Sequence, residues 1–386
     1  MVLIEGFDSQ IMALAVPQIA AAWHRIPSEF AVVFSATAVG MGFGAPAVGL
    51  AADKIGRKWI LVFSALLLGL LTTAIVAVSS VMAMSGLRLV AGVCLGGTLV
   101  TSLAIAGDLS PAERRVRNTM LVYIGAPIGA ISGSLLGGYL FRFGDWRLIF
   151  YVAGAMTLTT VLLPLLMLRS GGRRAVARAV PGGQTTSDSL FTRKYRLRTL
   201  FLCTAQVAAL TAAYLLTSWL PTIVANVTGS LPRASLFNSL IYVGAIVGVV
   251  SMAAVVVRVG ALRLLTGVYF VSALAALVVH FSMQNPGPKL VVALLGLGTA
   301  MLGGQMVLST LAASLYPLDL RARGLGLATG VGRIGALLGP AIGAALLASP
   351  HQKGQVFLYL CGIVVVTAST ILAMLLVTRK DETERE

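Results

Sequence analysis

The chain is divided into twelve apolar stretches, each about as long as the roughly 20 residues a helix needs to cross the hydrocarbon of a bilayer. They fall at residues 1–23, 28–51, 59–80, 82–106, 117–141, 147–168, 198–225, 233–257, 261–282, 288–313, 322–348 and 353–378. No other feature limits the fold so strongly. A backbone amide in lipid has no water to bond, so spanning segments are helices or strands of a closed barrel, and stretches of this length read as helices. Composition agrees: of 386 residues, 58% are hydrophobic and 11% charged, where a soluble domain carries about a quarter charged. The expectation is an all-α membrane protein of twelve transmembrane helices. The three cysteines, Cys94, Cys203 and Cys361, lie singly in apolar segments and read as packing residues rather than a disulfide framework.

A net charge of +16 invites a nucleic-acid reading, but the placement of the basic residues excludes it. Most of them lie in alternate connections: Lys54, Arg57 and Lys58; Arg114, Arg115 and Arg117; the run from Arg169 to Arg198; Arg258 and Arg263; Arg321 and Arg323; and the tail. The other connections hold Arg25, Arg142, Arg147, Arg233, Lys289 and Lys353. This asymmetry follows the positive-inside rule and sets both termini in the cytoplasm. Only four residues precede Glu5, about 6 Å of helix, so the first helix reads as truncated on its cytoplasmic side.

The segment at 169–197, rich in Gly, Ser and Arg, reads as a cytoplasmic linker. On either side of it the chain repeats itself. SPAERRVRN at 110–118 matches YPLDLRARG at 316–324, and the same offset of 206 pairs Gly129, Gly133 and Gly137 with Gly335, Gly339 and Gly343. At an offset of 204, Pro17 meets Pro221 and Gly56 meets Gly260. Two parallel six-span repeats with small residues at every fourth position mark a secondary transporter. The expected domains are residues 1–168, a linker 169–197, 198–378, and a tail 379–386. The copies are not faithful, since Pro127 corresponds to Arg333 and Asp53 to Val257.

Charges inside a membrane cost at least about 2.5 kcal/mol each and point to function. Glu5 and Asp8, at i and i+3, share a helix face. Arg88 opens RLVAGVCLGG, and Arg333 lies ten residues beyond Arg323, about 15 Å along a helix. Two acids with two arginines suggest a proton site coupled to an anion site. Asp8, with Glu5 beside it, is the candidate proton carrier, and either arginine presents a planar fork that suits a carboxylate. A static pair, Asp8 with Arg88, is the competing explanation. Gln305, Tyr214 and Tyr123 are candidate substrate contacts, with Gln206, Asn238 and Tyr242 as weaker ones that also suit helix–helix hydrogen bonds. His24, His280 and His351 lie near span ends without metal spacing. Asp53, Arg57 and Lys58 in GLAADKIGRK, with Asp108, form a candidate cytoplasmic charge latch. No P-loop, triad motif or HExxH is present, so no enzyme, cofactor or metal is indicated.

Several of these stretches together resemble a known family. GLAADKIGRK is similar to the signature between the second and third spans of the major facilitator superfamily. EGFD at 5–8, RLVAGVCLGG at 88–97, YLLTSWLP at 214–221, GGQ at 303–305 and RARGLGLATGVGRIGALLGP at 321–340 resemble the aromatic acid:H+ symporter family within it. The resemblance implies a major facilitator fold, alternating access and inward proton-coupled transport of aromatic carboxylates such as hydroxybenzoates or hydroxyphenylpropionates. It places the chain in a bacterial inner membrane as a monomer, with protons, lipid and a small aromatic carboxylate as its partners. The family's Asp-Gly-x-Asp motif, whose acids transport requires, maps onto Glu5 and Asp8, with Glu in place of the first Asp. That change and YIGAPIGA at 123–130 lean toward the hydroxyphenylpropionate carriers. Val100 and Thr101 stand where the family usually shows Pro-Asn, and Cys94 where Gly is frequent. The alternatives are an exporting antiporter, for which GALLGP at 335–340 is the cue, and a membrane sensor that binds aromatic acids without moving them.

Overall fold

The computed structural model describes residues 1–111, 122–167, 190–192, 195–311, 315–316, 318–349 and 355–383; of helical residues 53, 107, 257, 310, 318–319, 321–322 and 380–383 only the backbone is described. Among these residues the chain is helical throughout, in twelve spans. They are α1 (Val2–Ala22), α2 (Ala31–Ile55), α3 (Arg57–Ala74), α4 (Val81–Leu109), α5 (Gly125–Leu140) and α6 (Trp146–Thr159 continued by Leu162–Met167). There follow α7 (Arg196–Thr228), α8 (Leu231–Val259), α9 (Ala261–Ser282), α10 (Pro288–Leu297 through Gly303–Thr310), α11 (Leu318–Ala348) and α12 (Val356–Thr383). The break in α6 has a local cause: Pro164 has no N–H to bond the carbonyl of Thr160, and its ring crowds that turn.

Ten of these helices are long and apolar enough to cross a membrane by length and composition. The other two are α1 and α5. α1 carries Glu5, Asp8 and two glutamines, yet most of its residues are buried against protein, so its polar groups need not face hydrocarbon. The described part of α5 is 16 residues. Elsewhere large apolar side chains such as Leu70, Phe281 and Val292 stand exposed, as they do on a surface that lipid covers.

The sequence repeat reappears as a repeat of atomic contacts. A Cβ placed on Gly129 of α5 would lie 1.8 Å from the carbonyl oxygen of Leu3 in α1. One placed on Gly335 of α11 would lie 2.1 Å from that of Val207 in α7. Gly133 meets the Phe7 carbonyl and Gly339 the Thr211 carbonyl in the same way, at 2.8 and 2.7 Å. The second pair of packed helices behaves alike. Gly40 of α2 abuts the Leu89 carbonyl at 2.1 Å and Gly244 of α8 the Leu295 carbonyl at 2.3 Å; Gly92 abuts Thr37 and Gly298 abuts Ile241. Every one of these partners is related by the offsets of 204 and 206 found in the sequence. Gly56 and Gly260, the matched turn glycines, have φ of 104° and 86°, a region that side chains disfavour. Of the polar loop match, residues 112–118 and 317 lie outside the described residues, as do 168–189 of the linker region.

By internal contacts the chain forms two compact units, Met1–Ala179 with Ser218–Ser239, and Val180–Thr217 with Leu240–Glu386. The first contains the α1–α5 and α2–α4 contacts and the second the α7–α11 and α8–α10 contacts. The far ends of α7 and α8 thus pack within the first unit, although the repeat assigns both helices to the second copy.

Replacing Gly129 or Gly335 with Val is expected to lower the melting temperature in detergent markedly, since either side chain collides with the backbone of the facing helix. Gly326→Ala, with nothing within 4 Å, is expected to be neutral or to stabilise by up to about 1 kcal/mol through lower backbone entropy of the unfolded chain. Thermal unfolding of the three variants in parallel checks both.

Candidate functional site

Asp8 is 1% exposed and is held from two sides. The Thr72 hydroxyl of α3 donates to its Oδ1 at 3.0 Å, and Arg88 Nη1 of α4 donates to Oδ2 in an ion pair. Arg88 is also 1% exposed, and its Nε and Nη2 have no hydrogen-bond partner among the described residues. Local sequence sets this up. Ser80 caps α4 by accepting from the Ala83 amide at 3.1 Å, and Gly92 and Gly96 draw α4 against α2, which turns Arg88 toward α1. Gly6 and Gly129 seat α1 on α5 from the other side. Glu5 lies half-buried one turn before Asp8.

The second copy has no such site. At the positions matching Asp8, Arg88 and Thr72 it has Ala212, Leu294 and Ala276, each 0% exposed. It carries a neutral cluster instead, in which Gln305 Nε2 donates to Gln206 Oε1 at 3.3 Å and lies 3.5 Å from the Ser309 hydroxyl. The Tyr269 hydroxyl donates to Gln305 Oε1 at 3.5 Å. These bonds are long, so the amide of Gln305 is weakly committed. A π-helical turn, Gly298–Leu302, precedes Gln305 on α10; such turns re-aim the residues that follow and recur at functional sites. Tyr269 and Thr72 escaped the sequence reading. The signal for each was a polar residue inside an otherwise apolar span.

Arg333 lies near the midpoint of the 31-residue α11, half-buried, with no ion pair among the described residues. Its neighbours Gly332 and Gly335 rest on Gln206, Val207 and Thr211 of α7. Tyr214 is half-buried, with its Cβ against Gly339. Tyr123 is exposed, two residues before the start of α5.

Of the charge latch, Arg57 Nη1 at the start of α3 pairs with Asp108 Oδ2 at the end of α4. Lys58 Nζ donates to the Leu165 carbonyl of α6 at 3.0 Å. The Asp53 side chain lies outside the described residues. The Arg57–Asp108 pair is partly exposed and so contributes at most about 1 kcal/mol, small enough to break and reform.

An all-helical duplicated bundle with one buried ion pair among the described residues fits a secondary transporter. Residues 1–319 and 202–386 match the Major Facilitator Superfamily, and the chain belongs to that family, whose members are transporters and not enzymes. It is similar to a gallate transporter of Pseudomonas putida, 28% identical over 90% of this chain and 83% of that one. It resembles the 4-hydroxybenzoate transporter PcaK of Acinetobacter baylyi at 27% identity over 99% and 90%. The 3-(3-hydroxy-phenyl)propionate transporter of Escherichia coli is 30% identical over 90% and 84%. Among solved structures the fold matches a D-xylose-proton symporter with a TM-score of 0.79 at 15% identity, over 96% of this chain and 94% of that one. The nucleoside transporter NupG matches with a TM-score of 0.77 at 14% identity, over 97% of each chain. The protein is therefore a multi-pass transporter related to aromatic acid transporters.

Removing one member of a buried ion pair strands the other, at a cost of about 3–5 kcal/mol, whereas replacing both by apolar residues is often neutral. Asp8→Ala and Arg88→Leu are each expected to lower the melting temperature. The double variant, which copies the Ala212 and Leu294 of the second repeat, is expected to recover most of the loss.

Proposed function

We propose that the protein is a proton-coupled importer of aromatic carboxylates of the hydroxybenzoate or hydroxyphenylpropionate type. It works by alternating access in the bacterial cell membrane, as a monomer with both termini in the cytoplasm. The observation that carries this reading is the buried Asp8–Arg88 pair in a chain whose relatives are named for aromatic acids.

A carboxylate in hydrocarbon keeps its charge only while a cation balances it, so Asp8 exchanges a proton as its pairing with Arg88 tightens or loosens. The proton arrives from the outer water, neutralises Asp8 and leaves to the inner water when the pair reforms. Glu5, one turn away, is the accessory acid. The substrate carboxylate falls first to Arg333, which is half-buried and lacks an acid partner among the described residues, with Arg88 as the second candidate once a proton on Asp8 loosens their pair. The weakly bonded amide of Gln305, with Gln206 and Tyr269, suits a hydroxyl on the aromatic ring. Tyr214 and Tyr123 remain as further substrate contacts, and Asp53, Arg57, Lys58 and Asp108 as the inner latch. One proton with one monoanion makes the cycle electroneutral.

An exporting antiporter has less support. Gly335 and Gly339 of GALLGP rest on the α7 backbone as Gly129 and Gly133 rest on α1, so the repeat explains those glycines without an export motif.

The test is uptake of labelled hydroxyaromatic acids into proteoliposomes with an alkaline interior. Accumulation is expected to collapse with the pH gradient and to vanish in Asp8→Asn. Arg333→Gln is expected to raise the half-saturating concentration at least about tenfold, the loss of one charge-assisted contact. Binding of the acids without flux would support the sensor reading instead, and extrusion against the gradient would support the antiporter.

A further inference from the structure

Arg88, Ala91, Leu95, Thr98 and Ser102 recur at intervals of three and four residues, so they share one face of α4, with Thr101 beside them. The face has three layers. At one end Arg88 meets Asp8. Ala91, Cys94 and Leu95 then pack in an apolar cluster with Ile4 of α1, Met41 of α2 and Leu68 of α3. Beyond that layer, toward the end of α4 where Asp108 pairs with Arg57, come Thr98, Thr101 and Ser102. Thr98 is 6% exposed and Thr101 2%. The hydroxyl oxygens of all three are buried without a hydrogen-bond partner among the described residues.

Two observations set these hydroxyls apart from packing. A hydroxyl inside a helix has a partner at hand in the carbonyl four residues back, and Thr37, Ser85, Thr211 and Thr367 take it. Three neighbouring hydroxyls forgo that bond and are shut off from bulk water. Buried polar groups that protein leaves unsatisfied are bonded by ordered water, each molecule making about three hydrogen bonds. The second observation is the repeat. The offset of 206 sets Gly304, Val307 and Leu308 against Thr98, Thr101 and Ser102, and Leu308 is fully buried. At the matched positions, then, hydroxyls occur in the copy that carries Asp8 and Arg88, while the other copy packs the same helix without them.

We propose that Thr98, Thr101 and Ser102 hold ordered water and form the exit limb by which the proton of Asp8 leaves toward the Asp108 end of α4. This rests on the proton-coupled reading above and names the residues of its last step. Thr98 lies ten residues from Arg88, about 15 Å along the helix, too far for a direct transfer. Glu5 follows Ile4 in α1 and so stands at the level of the apolar layer. The proton passes from the Asp8 carboxyl to the Glu5 carboxylate as the pair with Arg88 reforms. The O–H bond on Glu5 then breaks as its proton goes to the held water, which releases a different proton to the water beyond. A hydroxyl both donates and accepts, so the three side chains orient this water in either step without changing charge.

Radiolytic footprinting in detergent, with no substrate present, tests the water. Hydroxyl radicals formed from a held water oxidise the side chain beside it, and Cys94, 5% exposed and one turn before Thr98, is a native reporter. Its oxidation is expected to fall severalfold in the triple variant Thr98→Val, Thr101→Val, Ser102→Ala, with Cys203 and Cys361 unchanged, and to be unaffected by Thr37→Val. No change at Cys94, or an equal change at all three cysteines, overturns the water site. In proteoliposomes the triple variant is expected to lower the maximal rate of uptake driven by a pH gradient about tenfold, the factor for roughly one net hydrogen bond lost from the path. The half-saturating concentration and the exchange of internal for external acid, which needs no net proton release, are expected to stay at wild-type values. Equal loss of uptake and exchange overturns the exit role. Wild-type uptake that ignores the pH gradient overturns the symport reading and the proton step with it, while the Cys94 readout still decides the water site.

Discussion

Helices in a bilayer gain nothing by leaving lipid for one another on hydrophobic grounds, because lipid tails are as apolar as leucine. Their association rests on close backbone approach and on a few polar contacts. That constraint organises this protein. Gly129 and Gly133 let α5 lie on α1, and Gly40 and Gly92 do the same for α2 and α4. Gly335 and Gly339, Gly244 and Gly298 then repeat both contacts in the second copy. At each of these positions a Cβ would lie within 2.8 Å of a carbonyl oxygen on the facing helix. The glycines therefore fix which helices are neighbours, and the neighbours decide which polar side chains can meet.

On this symmetric frame the chemistry is asymmetric. The first copy buries a charged triad, Asp8, Thr72 and Arg88, and the second has Ala212, Ala276 and Leu294 in its place. Conversely Gln206, Tyr269 and Gln305 of the second copy correspond to Val2, Ala65 and Leu99 of the first. Neither cluster is needed to hold its bundle together, since the other copy packs the same helices without it. A group that packing does not need and that is costly to bury is retained for what it does. This division of labour is the physical basis for assigning the proton to one copy and the ring hydroxyl and carboxylate to the other.

Much of this was legible beforehand. The twelve spans follow from hydropathy, because lipid permits little else, and the apolar stretch at 261–282 coincides with α9. The repeat was visible because glycines that touch a facing backbone cannot be exchanged without collision, so they survive in register at offsets of 204 and 206. Asp8, Arg88, Gln206 and Gln305 stood out as polar groups where polarity is costly. Whether Asp8 and Arg88 meet is not legible in the sequence, and neither is the part that Tyr269 and Thr72 play.

The sequence by itself determined the class of fold, the duplication and the short set of side chains able to do chemistry. Each of these depends on transfer to lipid or on backbone collision, which are local properties of residue type. Only the tertiary structure decided the partners: Thr72 and Arg88 for Asp8, 64 and 80 residues away, and Gln10 for Asn238, 228 residues away. Spans that are apolar nearly all round give no periodic signal for how each is turned about its axis. That rotation, set by the glycine contacts of the assembled bundle, is what brings these groups within hydrogen-bond reach.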